Sequence, residues 1–405
     1  MDFGIQMGRR MQGIAYDFLL EQNTHNVVVL SPRNFASREN KDGKDLMIAY
    51  AKKIKPHANI LIDPQLYCSN KSTIALRAFP HYSVCCGDLW SNTTGVLEEL
   101  SKLNKDCESE LFIIPSTTIY DADQEDFKKI NSFAKQARDY ANNKKTAMTL
   151  SLGENVLKDD TSFDRIVNEL EECDADAFYI VSEHPRGDYL VNQPLWLYSY
   201  MRLIAGLKRA GKRVYVGYAS YQFLLFALAG CDAIFSGNFL NVRRFSIRTF
   251  EEKSTEPLRR ACWYYVPHAL SEFKLSTLDL AYSQNVLSKL KSSFDVEKYT
   301  GMLFGGVLPS DTAYNERCSF MHYLICMNKQ CSSLPCESYN STISSLNNLL
   351  NTAESFIDGL RHYGIYDRDR NFADALPANL QALNAFDVNY GFQMNLEWRN
   401  ITSKD

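Results

Sequence analysis

The sequence predicts an α/β protein: a (β/α)8 barrel carrying a mainly helical C-terminal extension. Three observations point there. Eight short runs of β-branched and aromatic residues recur up to about residue 235, longer amphipathic stretches separate them, and beyond about residue 250 helical periodicity takes over. Near-continuous apolar runs are what strands buried on both faces look like. Strands alternating with helices imply parallel βα units, and eight such units in about 240 residues match the size of this barrel. An open doubly wound sheet is the structural alternative. It usually has fewer strands, and no Gly-rich phosphate loop follows the first run.

The strand runs are Phe3-Gly-Ile-Gln6, Asn26-Val-Val-Val-Leu30, Asn59-Ile-Leu-Ile62, Leu111-Phe-Ile-Ile114, Ala147-Met-Thr-Leu150, Ala177-Phe-Tyr-Ile-Val181, Arg213-Val-Tyr-Val216 and Ala233-Ile-Phe235. Helical patterns cover Met11 to Gln22, Asp45 to Lys55, Asp123 to Asn142, Ser162 to Cys173, Leu195 to Ala210 and Tyr221 to Ala229. The Leu195 pattern stops at Ala210-Gly-Lys212, a glycine stop signal. Residues 70–105 exceed an ordinary loop and read as an insertion folding over the barrel. The barrel is expected over 1–250. A helical region is expected over 251–405, with examples at Leu278 to Ser292 and Thr342 to Arg361, and with Ser- and Asn-rich turns at 337–348.

Hydrophobic residues make up 45%, charged residues 23% and aromatic residues 12%. This excludes a disordered, collagen-like or coiled-coil chain. No apolar run reaches the roughly 18 residues of a membrane span. Met1 to Arg10 lacks the apolar core of a signal peptide, so a cytoplasmic location is expected. Eleven scattered cysteines suit a reducing compartment. The net charge of −4 is not that of a whole-chain polyanion binder, but a local basic patch suffices for nucleic acid.

In such a barrel the chemistry lies at the C-terminal strand ends. Asp63 ends the third run, followed by Pro-Gln65-Leu-Tyr67. A carboxylate there suits general acid/base work or stabilisation of a cationic transition state; otherwise it is a turn aspartate capping the next segment. Glu183 follows the sixth run and reads as a second carboxylate or a base-recognising acceptor, or as a salt-bridge partner of Arg186. His184 reads as a surface loop histidine. Gln65, Tyr67, Glu183, Ser236 and Asn238 all fall at or just past strand ends. Arg33, Arg186, Arg243 and Arg244 are candidate phosphate contacts. Arg243, Arg244, Arg248, Arg259 and Arg260 lie among Tyr221, Phe239, Phe245, Phe250 and Trp263, a mix suited to phosphate contact and base stacking or to a solvated face. Cys318, Cys326, Cys331 and Cys336 make no C-x-x-C pair, so neither a metal nor another cofactor is expected.

Gly230-Cys-Asp-Ala-Ile-Phe-Ser236, preceded by Arg213-Val-Tyr-Val-Gly-Tyr and a Leu-rich helix, resembles the barrel end of the tRNA-guanine and DNA-deazaguanine transglycosylase superfamily. There a "YLxGVG…LL…GxDxFDC" segment carries the covalent Asp nucleophile. Leu61-Ile-Asp63-Pro-Gln resembles the strand end "DSGGFQ" with that family's other catalytic Asp. Arg317-Cys-Ser-Phe-Met-His-Tyr-Leu324, then Leu346-Asn-Asn-Leu-Leu350 and Phe356, is similar to the tail "YSRAYLxHL…HNxxFY". The likeness runs in order over some 300 residues, with no motif matched in full. The nucleophile position falls on Phe235, the zinc set C-x-C-x-x-C is missing, and the tail histidine falls on Asn347 or a neighbour.

The resemblance implies cleavage of a base from its sugar through an oxocarbenium-like state, with Asp63 as the acid and Gln65, Tyr67, Glu183, Ser236 and Asn238 as base-pocket candidates. Without the second Asp, attack by water and an abasic product are expected. The base must leave the stack to reach Asp63. The superfamily has branches acting on DNA among antiphage genes. The chain looks closer to those than to the tRNA enzymes, which implies DNA rather than tRNA and a modified base such as glucosylated hydroxymethylcytosine. Base exchange inserting a deazaguanine-type base, and a catalytically inactive nucleic-acid-binding module, are the alternatives.

Overall fold

The computed structural model describes residues 1–22, 26–36, 42–68, 76, 78–121, 123–158, 163–250, 261–294 and 296–403. Eight parallel strands close into a barrel in chain order. They are β1 (Asp2–Gln6), β2 (Asn26–Leu30), β3 (Ala58–Ile62), β4 (Leu111–Ile114), β5 (Lys145–Leu152), β6 (Ala177–Ser182), β7 (Arg213–Val216) and β8 (Ala233–Ser236). β1 closes the ring: Gly4 stands opposite Val27 on one side and Phe235 on the other. All eight expected strands are present.

The two-residue period of the strands sorts the core into two layers. Inward positions such as Val29, Leu61, Ile113, Ala147, Tyr179 and Phe235 fill the barrel. Outward positions such as Ile5, Val28, Ile60, Ile62, Ile114 and Ile180 pack under the helices. Asp63 follows Leu61 by two residues, so it shares the inward phase. Glycine makes room inside: a Cβ on Gly4 would lie 2.4 Å from the Phe235 ring.

The helices between the strands are α1 (Gln12–Gln22), α2 (Gly43–Ile54), α3 (Thr93–Asp106), α4 (Gln124–Ala137), α5 (Phe163–Glu171) and α6 (Pro194–Arg209), with a 3-10 helix over Tyr221–Ala229 in seventh place. Caps mark several starts. Asn92 accepts from Gly95 N at α3, and Asp123 accepts from Glu125 N at α4. α6 starts with Pro194 and gives way to Gly211 at φ +77°. Of the stretch read as an insertion, 93–105 lies in α3, the crossover helix between β3 and β4; short helical turns at Pro80–Cys85 and Leu89–Ser91 precede it.

The C-terminal region is mainly helical, with α7 (Leu275–Ser283), α8 (Glu316–Ser333), α9 (Tyr339–Arg361) and α10 (Leu376–Thr402). It also holds an antiparallel hairpin, β9 (Trp263–Val266) and β10 (Ser271–Lys274). The 337–348 stretch is helix from Tyr339 rather than turns, because Ser338 caps α9 through Ser341 N at 3.0 Å. This region packs on the barrel: Glu397 of α10 pairs with Arg209 of α6 at 2.9 Å, and Tyr390 accepts from Arg202 Nε at 2.9 Å. No helix among the described residues is long and apolar enough to cross a membrane.

Candidate active site at the barrel mouth

Asp63 continues β3, its N–H donating to Leu30 O at 2.8 Å. The chain then turns sharply. Gln65 takes φ +54°, and its N–H donates to Asp63 Oδ1 at 2.9 Å. A non-glycine residue holds such a conformation only where its surroundings enforce it. Tyr82 does so here, its hydroxyl 2.9 Å from Pro64 O and 3.1 Å from Gln65 O.

Around the carboxylate stand three tyrosines. Tyr67 donates to Oδ1 at 2.9 Å and Tyr218 to Oδ2 at 3.0 Å. Tyr179 Oη lies 3.5 Å from Oδ2 but makes its shorter bond, 2.9 Å, to Gln6 Oε1. Gln65 Nε2 donates to Tyr218 Oη at 2.8 Å. Tyr218 is itself at φ +55°, so two strained residues touch each other and the same carboxylate. Gly217 makes the cage possible, since a Cβ there would lie 2.4 Å from Tyr179 Oη. Phe245 and Phe250 close the top, each ring edge-on to Tyr67 at 5.0 Å.

Asp63 is fully buried, and no Lys or Arg among the described residues pairs with it. Burial pushes its pKa up to about 6, against the opposing pull of the bonds from Tyr67, Gln65, Tyr218 and Tyr179. Three buried polar atoms in the barrel interior and its mouth have no partner: Gln6 Nε2, Gln65 Oε1 and Thr149 Oγ1. Such a site can hold a negative charge against a developing cation and offers a free amide donor and acceptor to a polar ligand.

The other sequence candidates are scattered. Gln65 and Tyr67 belong to the cage. Glu183 Oε1 accepts from Ile247 N at 2.9 Å, so it pins the turn carrying Phe250. Arg186 pairs with Asp188 at 3.1 Å instead of with Glu183. Ser236 faces away from the mouth: Phe235 takes the inward phase, and Ser236 Oγ lies 3.1 Å from Tyr323 Oη on α8. Asn238 lies two residues past β8 in the wall of a separate cavity. His184 is a packed histidine and not a surface one. It is 2% exposed, between Trp196 and Phe223, and burial lowers its pKa to about 4.

Among the arginines, Arg243 is corrected outright. It is 2% exposed and pairs with Glu272 at 3.0 Å, so it has no face for phosphate. Arg33 reaches the Phe250 carbonyl at 2.9 Å and stacks on the Phe250 ring, which makes it a latch on the cover. Arg244 is partly buried and bonds Gly187 O. Arg186 presents an exposed guanidinium. Arg259 and Arg260 lie outside the described residues. The residues present do not fit the zinc of the resembled family. Cys318, Cys326 and Cys331 are spread along α8, and His322 Nε2 is bonded to Tyr265 O at 2.6 Å. Among the described residues no three His, Cys, Asp or Glu side chains gather to hold a metal.

Sequence reasoning missed Gln6, Tyr179 and Tyr218. An amide closing the apolar first run, and a tyrosine two residues past β7, were the available signals. Compared with protein-family models and with curated proteins, the sequence matches none.

Proposed function

We propose that this chain hydrolyses the N-glycosidic bond of a base in DNA, with Asp63 as its catalytic carboxylate. One observation carries the reading. Asp63 is a buried carboxylate at the C-terminal end of a barrel strand, held by neutral donors alone. A buried charge without a cation is costly to the fold, which is the pattern of a group kept for chemistry. In this reading the C1′–N bond breaks and its electron pair leaves with the base. Asp63 stabilises the cationic sugar and takes a proton from the attacking water, whose oxygen bonds C1′. The departing base takes up a proton.

Gln6 Nε2 and Gln65 Oε1 are the free donor and acceptor that would read the base edge. The product is an abasic site because no second carboxylate faces the sugar from β8. Phe235 fills that place between Tyr179 and Tyr215, and the next inward position is Gly237. A base enters by displacing Phe245 and Phe250. The test is mass spectrometry of bases released from plain and modified DNAs, glucosylated hydroxymethylcytosine DNA among them, and from tRNAs. Released base with alkali-labile strands is expected. Incorporation of a labelled free base without abasic sites would replace hydrolysis by exchange, and binding without either product would remove the enzyme reading.

A further inference from the structure

A cavity of about 860 Å³ opens beside the mouth between the end of β1, the end of β8 and the start of α8. Arg9 and Arg10 follow β1 by three and four residues, and both are exposed. Among the described residues neither has an ion-pair partner. Arg317 adds a third guanidinium, 56% exposed and paired with Asp17. Glu316 is the one acid in the described lining, so positive charge dominates. Phe239 and Phe320, edge to face at 5.0 Å, supply an apolar wall.

Asn238 in the same lining is 3% exposed, and neither its amide nitrogen nor its oxygen has a partner. A buried amide left wholly unpaired is rare and destabilising. Its position is nonetheless enforced: Arg243 Nε donates to the adjacent Gly237 O at 2.6 Å, and Arg243 is anchored on Glu272. The cavity also meets the N-terminus of α8, an 18-residue helix capped by Asn315, whose dipole favours an anion.

We infer that this cavity binds the phosphate of a nucleotide. Arg9 and Arg10 neutralise the phosphate, the Phe239–Phe320 wall receives the attached base or sugar, and the Asn238 amide donates to and accepts from it. The inference rests on the proposed function only for the source of the phosphate, a strand rather than a free nucleotide.

Binding of a short fluorescein-labelled single-stranded DNA, of a mononucleotide and of inorganic phosphate is measured across a salt series. The Arg9→Ala/Arg10→Ala double variant is expected to weaken strand binding by roughly tenfold or more. It should also flatten the plot of log K against log salt by about 0.7, the slope of one phosphate contact on a single strand. Asn238→Leu is expected to lose affinity while its unfolding midpoint stays level or rises, which a purely structural residue would not do. Loss confined to the mononucleotide or phosphate supports the site and assigns it a free ligand. Unchanged affinity and slope in the double variant, no binding of any probe by the wild type, or an Asn238→Leu protein that is less stable with unaltered affinity overturns the inference. Asp63→Asn separates the two proposals: it removes base release if the proposed function holds, while the change in affinity and salt slope caused by Arg9→Ala/Arg10→Ala should persist in its background.

Discussion

Two buried carboxylates in this molecule are handled in opposite ways. Glu272, on β10, is 3% exposed and pairs with Arg243 at 3.0 Å and Arg370 at 2.7 Å, with Tyr189 donating at 3.0 Å. Burial pushes its pKa up, but the two guanidiniums outweigh burial and hold it below the usual carboxylate range. Asp63 is equally buried, has only neutral donors, and is left with a pKa of about 6. Glu272 joins the loop after β8, the hairpin and the segment before α10, so its network fastens the C-terminal region to the barrel. Asp63 gathers side chains from β6 and from the turns after β3 and β7, all within the barrel. The compensated charge serves architecture; in the function proposed above, the uncompensated one faces the cationic sugar.

Removing the compensation should produce the largest effect. Glu272→Ala leaves Arg243 and Arg370 facing each other in the interior, and a loss of about 3–5 kcal/mol is expected in denaturant unfolding. Because the folded pKa of Glu272 is lowered, its contribution is present above the ordinary glutamate pKa and fades as pH falls through the folded value.

Asp63→Asn should act in the other direction. A folded pKa raised from 3.8 to about 6 means that ionised Asp63 costs stability. The cost is complete above about pH 6 and absent below about pH 4. The variant is expected to be more stable than wild type at pH 7.5 by up to about 3 kcal/mol, since each pKa unit is worth about 1.4 kcal/mol. The advantage should vanish in unfolding curves at pH 4. A destabilised Asp63→Asn protein at pH 7.5 would erase the contrast with Glu272.

Gly217→Ala probes the cage itself. Its new methyl would sit 2.4 Å from Tyr179 Oη, and overpacking of this kind costs about 1–3 kcal/mol. It should also displace Tyr179 from Gln6 and slow turnover, measured as kcat on whichever base is released. The smallest effect belongs to Arg186→Ala, on a guanidinium 63% exposed. A stability change within about 0.5 kcal/mol is expected, with a modest loss of nucleic-acid affinity at low salt.

The strands were legible because each is an apolar run buried on both faces, and the strand-end rule led directly to Asp63, Gln65 and Tyr67. The rest of the cage was not, because it depends on register. Tyr179 reaches Asp63 from β6 and Tyr218 from beyond β7, more than a hundred residues away in sequence. Arg243 reads as a surface cation in any local window, and only its long-range partner Glu272 reveals it as buried. Ser236 looked suitable by composition and failed by phase, one residue from the inward Phe235. The hairpin β9–β10 was hidden because its second strand, Ser271-Glu-Phe-Lys274, is no apolar run and no βα alternation surrounds it past residue 250.

Base release by wild type and Asp63→Asn, followed by mass spectrometry from pH 5 to 8 on one modified DNA, bears most directly on the role of Asp63. Wild-type release should rise through about pH 6 to a plateau as the carboxylate ionises, while the folded Asn variant should show none across the range. Release by Asp63→Asn at the wild-type rate would place the chemistry elsewhere.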